Sequence, residues 1–155
     1  MNMQMFDVDI QLTNAQRNRI EKGLAKALKD DVYKNTIIIN DIFIVSNALN
    51  MNLASDEEFI EIYTKLEASG GVRAVNDDEA EPDILTTYRF MVSLDRIGNS
   101  IDLDAKKSYI ETLKTDEGLY KMFKSSADNY DLTAILYANT IRHMEIGGDK
   151  DDFAE

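Results

Sequence analysis

Ile84-Leu85-Thr86-Thr87-Tyr88-Arg89-Phe90-Met91-Val92-Ser93-Leu94-Asp95-Arg96-Ile97 is the stretch that decides the fold. Wound as a helix at about 100° per residue, it puts Leu85, Tyr88, Phe90, Met91, Val92 and Leu94 on nearly every side. A helix that is apolar all round must be surrounded, so this one is expected at the centre of a helical protein. Gly98-Asn99 ends it. Asp95 falls between Tyr88 and Met91 on the wheel, so it needs a cation from another helix or an outlet to water at the helix end. The second is expected.

Toward the N-terminus, residues 72–83 have no sustained period and carry a block of like charge around the single proline, Pro82. They read as a solvated acidic loop and as the hinge candidate. Gly70-Gly71 is expected to end the helix before it. That helix has the clearest start in the chain, with Ser55 as N-cap and Glu58 three residues on. Asp56, Glu57 and Glu58 suit the positive end of its dipole, and Phe59, Ile62, Tyr63 and Leu66 form its apolar face.

Residues 36–45, Thr-Ile-Ile-Ile-Asn-Asp-Ile-Phe-Ile-Val, fit two short strands around Asn40-Asp41 by their β-branched content. Ile38, Ile42, Val45 and Leu49 recur at helical spacing, and Asn-Asp is a weaker turn signal than Asn-Gly, so a buried helix over 35–49 is expected. Thr13-Asn14-Ala15-Gln16 fits a capping box that opens a helix to about residue 29. Its apolar side is Ile20, Leu24, Ala27 and Leu28; opposite lie Arg19, Lys22, Lys26 and Lys29, the only basic stripe in the sequence. Residues 5–12 alternate strictly, with Phe6, Val8, Ile10 and Leu12 in one phase, and read as a short N-terminal β element in need of a partner strand.

Beyond the central stretch, a helix over 103–114 turns Tyr109, Ile110 and Leu113 inward. A short helix from Thr115 or Asp116 carries Leu119, Tyr120, Met122 and Phe123. A last one, capped by Asp131, has Leu132, Ile135, Leu136, Ile141 and Met144 as its apolar residues and closes at Gly147-Gly148. No internal repeat is visible. The expectation is a mainly α protein of about six helices in one compact bundle-like domain, 1–148, followed by a mobile acidic tail, 149–155.

Composition narrows the function. The chain has 155 residues, 44% apolar and 30% charged, with no Cys, which excludes a disulfide framework, a thiolate metal site and a thiol nucleophile. No apolar run is long enough to span a membrane and the start lacks a secretory signal pattern, so a cytoplasmic protein is the default. The net charge is −12, and all of it lies in residues 51–155; residues 1–50 are neutral. Such a surface repels phosphate backbones and anionic membranes, which disfavours direct nucleic-acid binding.

The catalytic readings weaken on inspection. A helix-turn-helix forced onto 44–63 would present Asp56, Glu57, Glu58 and Glu61 to a DNA groove, where donors are needed. Glu57, Glu58 and Glu61 are the residual metal candidates. Their spacing resembles the paired acids of the all-α nucleotide pyrophosphohydrolases, which would imply Mg²⁺-dependent phosphohydrolysis. The facing acidic pair that such chemistry needs is absent from the next strong helix, which offers only Asp95. His143 stands alone, short of the three or four ligands of a zinc site, and there is no Gly-x-Ser-x-Gly elbow, EF-hand loop or phosphate-binding glycine loop. No catalytic residue, metal or cofactor is expected.

The expected role is a non-catalytic acidic protein–protein interaction factor, an accessory, assembly or inhibitory protein that self-associates. Arg19, Lys22, Lys26 and Lys29 are its candidate contact stripe, facing the acidic part of a second copy in a homo-oligomer or of another protein. The alternatives are an acidic nucleic-acid mimic that inhibits a DNA- or RNA-handling protein, and the phosphohydrolase. A viral or mobile-element origin suits the composition.

Overall fold

The computed structural model describes residues 12–30, 36–51, 53, 55–127 and 130–144. They form six helices and one small sheet: α1 (Asn14–Ala27), α2 (Ile38–Ala48), α3 (Asp56–Leu66), β1 (Glu67–Ala68), β2 (Gly71–Arg73), β3 (Pro82–Asp83), α4 (Ile84–Arg96), α5 (Leu103–Glu111) and α6 (Leu132–Arg142). The chain is mainly α, as expected. The described strands, however, sit mid-chain at 67–83 and not at the N-terminus; residues 5–11, Gly147-Gly148 and the 149–155 tail lie outside the described residues.

Local signals set the helix starts. Thr13 and Ser55 close capping boxes with Gln16 and Glu58, and Asp131 accepts from the amides of Thr133 and Ala134. Of residues 36–45, all from Ile38 on are helical, burying Ile39, Ile42 and Phe43, while Thr36 forms an isolated bridge with Val75. The central stretch is α4, and it belongs to two apolar clusters at once. Phe90 and Leu94 pack with Phe43 of α2, Phe59 and Leu66 of α3 and Val72 of β2. Ile84 and Met91 pack with Ile110 of α5 and Ala134, Ala138 and Ile141 of α6.

Three expectations are corrected here. Gly70-Gly71 does not end a helix: Ser69 and Gly70, at φ 51° and 84°, form a two-residue turn that folds β1 onto β2 in antiparallel register, Ala68 opposite Gly71. A side chain at Gly71 would come within 2.7 Å of the Tyr109 ring, so glycine is required for α5 to approach. Residues 72–83 are accordingly not loop throughout, since both ends belong to the sheet. Val72 is wholly buried, Arg73 pairs with Pro82, and only the middle of the segment reaches water. The helix expected from Thr115 is instead a tight turn, with Gly118 at φ 82° and an isolated bridge between Lys114 and Tyr120. Its apolar residues suit a helix, but the bridge leaves only five residues to turn in, fewer than two helical turns.

A repeat invisible in sequence appears in the architecture. α3 leads through an antiparallel pairing to an aspartate cap, Asp83, and then α4; α5 leads through the Lys114–Tyr120 bridge to another, Asp131, and then α6. α1 and α2 form a third pair whose cap position, Ile37, offers no side-chain bond. The second helices of the three pairs lie side by side, α4 packing on α2 and on α6. The two units with aspartate caps share a plan rather than a residue pattern, which is why the sequence hides it.

Asp83 is the buried junction of this plan. Its Oδ1 accepts from the Thr86 amide at 2.7 Å and its Oδ2 from the Thr86 hydroxyl at 2.6 Å. Its carbonyl accepts from the Thr87 hydroxyl, which in turn accepts from the Val72 amide of β2. Burial pushes the Asp83 carboxyl above its usual range, against the pull of those bonds. The folded protein therefore holds this proton more tightly than the unfolded chain. The contribution to stability is greatest below about pH 4 and falls as pH rises through the raised value. Asp83→Ala should cost about 1–2 kcal/mol in denaturant unfolding at neutral pH through loss of the cap. Asp83→Asn keeps an acceptor without the charge, so its stability relative to wild type should improve as pH is raised from about 4.

Candidate functional site

One side of α4 carries Tyr88, Arg89, Val92 and Arg96, with Tyr88 also packed against the cluster around Ile84 and Met91. With Ile44 of α2 and Leu136, Tyr137 and Thr140 of α6, these residues line a cleft of about 300 Å³ along the row of second helices. The rings of Tyr88 and Tyr137 meet with centroids 4.6 Å apart and join α4 to α6 in its wall. Leu132 and Leu136, two of the apolar residues of α6, are 76% and 59% exposed. The small side chains of Ala134 and Ala138 face the core in their place, letting α6 sit close on α4. Val45 of α2 is also exposed.

Charge in and around the cleft is sparse. Arg89 ion-pairs with Asp41 across the α2–α4 contact. Arg96, two turns further along, is exposed and forms no ion pair among the described residues. The neighbouring Asp95 reaches water at the helix end, as expected. The lining residues supply apolar area, two tyrosine rings and guanidinium donors, a composition suited to holding a surface rather than to acid–base or nucleophilic chemistry.

A smaller cavity, about 200 Å³, lies between α1, α2 and α3, walled by Leu28, Phe43, Phe59 and Ile62 with Lys29 and Glu58 at its edge. α1 buries none of its residues fully. It is tied down by Arg17, whose guanidinium donates to the carbonyls of Leu49 and Asn50 at 2.5 and 3.2 Å.

The basic stripe keeps its shape: Arg19, Lys22, Lys26 and Lys29 are all exposed along α1 and the turn after it, on a different element from the larger cleft. Glu57, Glu58 and Glu61 do not converge. Glu58 is engaged with the Ser55 amide in the capping box, Glu61 pairs with Lys65 at 2.8 Å, and the Glu57 backbone amide and Ser55 hold the Glu57 carboxylate below its usual range. Among the described residues no three His, Cys, Asp or Glu side chains are placed to hold a metal ion. His143 is exposed at the end of α6, its Nδ1 2.7 Å from the Asn139 carbonyl.

Sequence reasoning missed the one buried cation among the described residues. Lys106 of α5 is fully buried, ion-paired with Glu67 of β1, and its Nζ lies 5.4 Å from the centre of the Tyr63 ring. Burial, then the Glu67 charge, pushes the Tyr63 hydroxyl up, so this tyrosine stays neutral. The available signal was spacing: Lys106 shares the helix side of Tyr109, Ile110 and Leu113. Comparison of the chain with family models, curated proteins and solved structures finds no match.

The Lys106–Glu67 pair reads as a structural tie between α5 and the sheet. Removing Glu67 leaves the buried ammonium without its carboxylate, whereas removing Lys106 leaves a carboxylate that can turn to water. Glu67→Leu should therefore destabilise by about 3 kcal/mol and Lys106→Met by clearly less, read from chemical-denaturation midpoints.

Proposed function

We propose that this chain is a non-catalytic protein-binding factor, accessory, assembling or inhibitory in role, which takes its partner on the face formed by α2, α4 and α6. The observation that carries this is the apolar cleft between Tyr88, Val92 and Leu136, with Val45 and Leu132 exposed on the same helices that wall it. Contiguous apolar surface of this kind costs solubility and marks interaction sites in proteins that keep it. Tyrosine and arginine are also the residue types that dominate binding energy when a partner excludes water from them. A helix with greasy residues on both sides is explained when each side has something to cover it.

The test is affinity capture with wild type beside Leu136→Asp and Val92→Asp, which place a charge in the cleft and leave both cores intact. Circular dichroism should show all three folded. Proteins retained by wild type and lost by both variants are expected; identical retention by all three would overturn the reading.

Self-association through α1 is a second reading, favoured by the four exposed cations Arg19, Lys22, Lys26 and Lys29 and by exposed acids at Asp77, Asp78, Glu79 and Glu81. Contacts of that type are screened over roughly 10 Å at 0.1 M salt. Light scattering should show a mass that falls toward the monomer as salt is raised, and a monomer throughout the range would rule this mode out.

A further inference from the structure

Resting on the binding face proposed above, we infer that the partner segment is an amphipathic helix with an acidic residue at one end, lying along α4 with its carboxylate on Arg96. Shape is the first ground. The cleft lies along α4 with Ile44 of α2 and Leu136 of α6 in its walls, so a helix of roughly 10–12 Å diameter laid on it meets side chains from all three. All the residues lining the cleft belong to α2, α4 and α6 and none to a strand, so an extended segment finds no sheet edge there to pair with.

Charge is the second ground. On a chain of net charge −12, the cleft presents two arginines and no lining carboxylate. Arg89 is already matched by Asp41, so its end of the cleft is electrically balanced. Arg96 is the open cation, and a guanidinium fork accepts a carboxylate in two parallel hydrogen bonds. The two arginines stand about 10.5 Å apart along α4 at 1.5 Å per residue, with Val92 between them. The complementary helix is therefore acidic at the Arg96 end, apolar over Val92, Tyr88 and Leu136, and uncharged beside Arg89. A second copy of the chain is the poorer occupant, because two surfaces of −12 repel over the whole approach.

The test uses two fluorescent designed helices with one leucine stripe, identical except for a terminal-turn Glu in one and Lys in the other. Anisotropy titrations with the full chain should show the Glu helix binding about tenfold tighter than the Lys helix. Arg96→Glu, at an exposed position, should reverse that order, and Leu136→Asp should weaken both. Equal binding of the two helices by wild type, with both lost on Leu136→Asp, overturns the acidic-partner inference while leaving the binding face intact. Binding of neither helix overturns the inference outright. So does a concentration-dependent dimer by light scattering that Leu136→Asp abolishes, since a second copy would then be the occupant.

Discussion

The rings of Phe43, Phe59 and Phe90 stack in sequence, with centroids 4.1 and 5.5 Å apart, and tie α2, α3 and α4 into one layer. Truncating one such ring to alanine typically costs about 3–5 kcal/mol, against a total stability of roughly 5–15 kcal/mol for a domain. α4 extends the consequence beyond its own cluster. Ile84 and Met91, on the same helix as Phe90, anchor α5 and α6, so the two clusters share α4 as their common wall. The outer cleft depends on this too, because residues of that helix line it.

Polar groups caught inside this packing are mostly matched, and the matches run between elements far apart in sequence. The Val72 amide, Thr87 hydroxyl and Asp83 carbonyl form one chain from sheet to helix. Tyr109 donates to the Pro82 carbonyl at 2.7 Å and joins α5 to β3. Asn40 of α2 accepts from the Ser93 hydroxyl of α4 at 2.7 Å, while its amide nitrogen has no partner among the described residues. An orphaned donor of that kind costs about 1–3 kcal/mol, which the surrounding Ile39, Phe43 and Phe90 contacts outweigh. The return segments are thus pinned by directional bonds, while the helices themselves are held by area.

Charge and apolar surface are partitioned in a way that bears on binding. Acids crowd the start of α3 and the middle of the 72–83 segment, and both regions are exposed. The row of second helices instead shows aliphatic and tyrosine side chains with one matched and one open arginine. A net charge of −12 adds long-range repulsion toward other anionic surfaces, and it falls away within about a Debye length once salt is present.

Much of the framework was legible in the residues. Thr13, Ser55 and Asp131 caps, the helical reading of 36–45 and the central place of 84–97 all stand, because each is settled within a turn or two by side-chain-to-amide bonds or by apolar periodicity. The hairpin at Ser69-Gly70, the buried Lys106–Glu67 pair and the exposure of Leu132 and Leu136 were not. Gly70-Gly71 suits a helix end and a hairpin equally, and only the arrival of Tyr109 against Gly71 separates them. Ala134 and Ala138 are buried while Leu136 is exposed because α6 meets α4 through small residues, a choice made by the neighbour and not by hydrophobicity. Local hydrogen bonding and period lie within the chain's own reach; which side of a helix is covered depends on what packs against it, and that exists only once distant segments have come together.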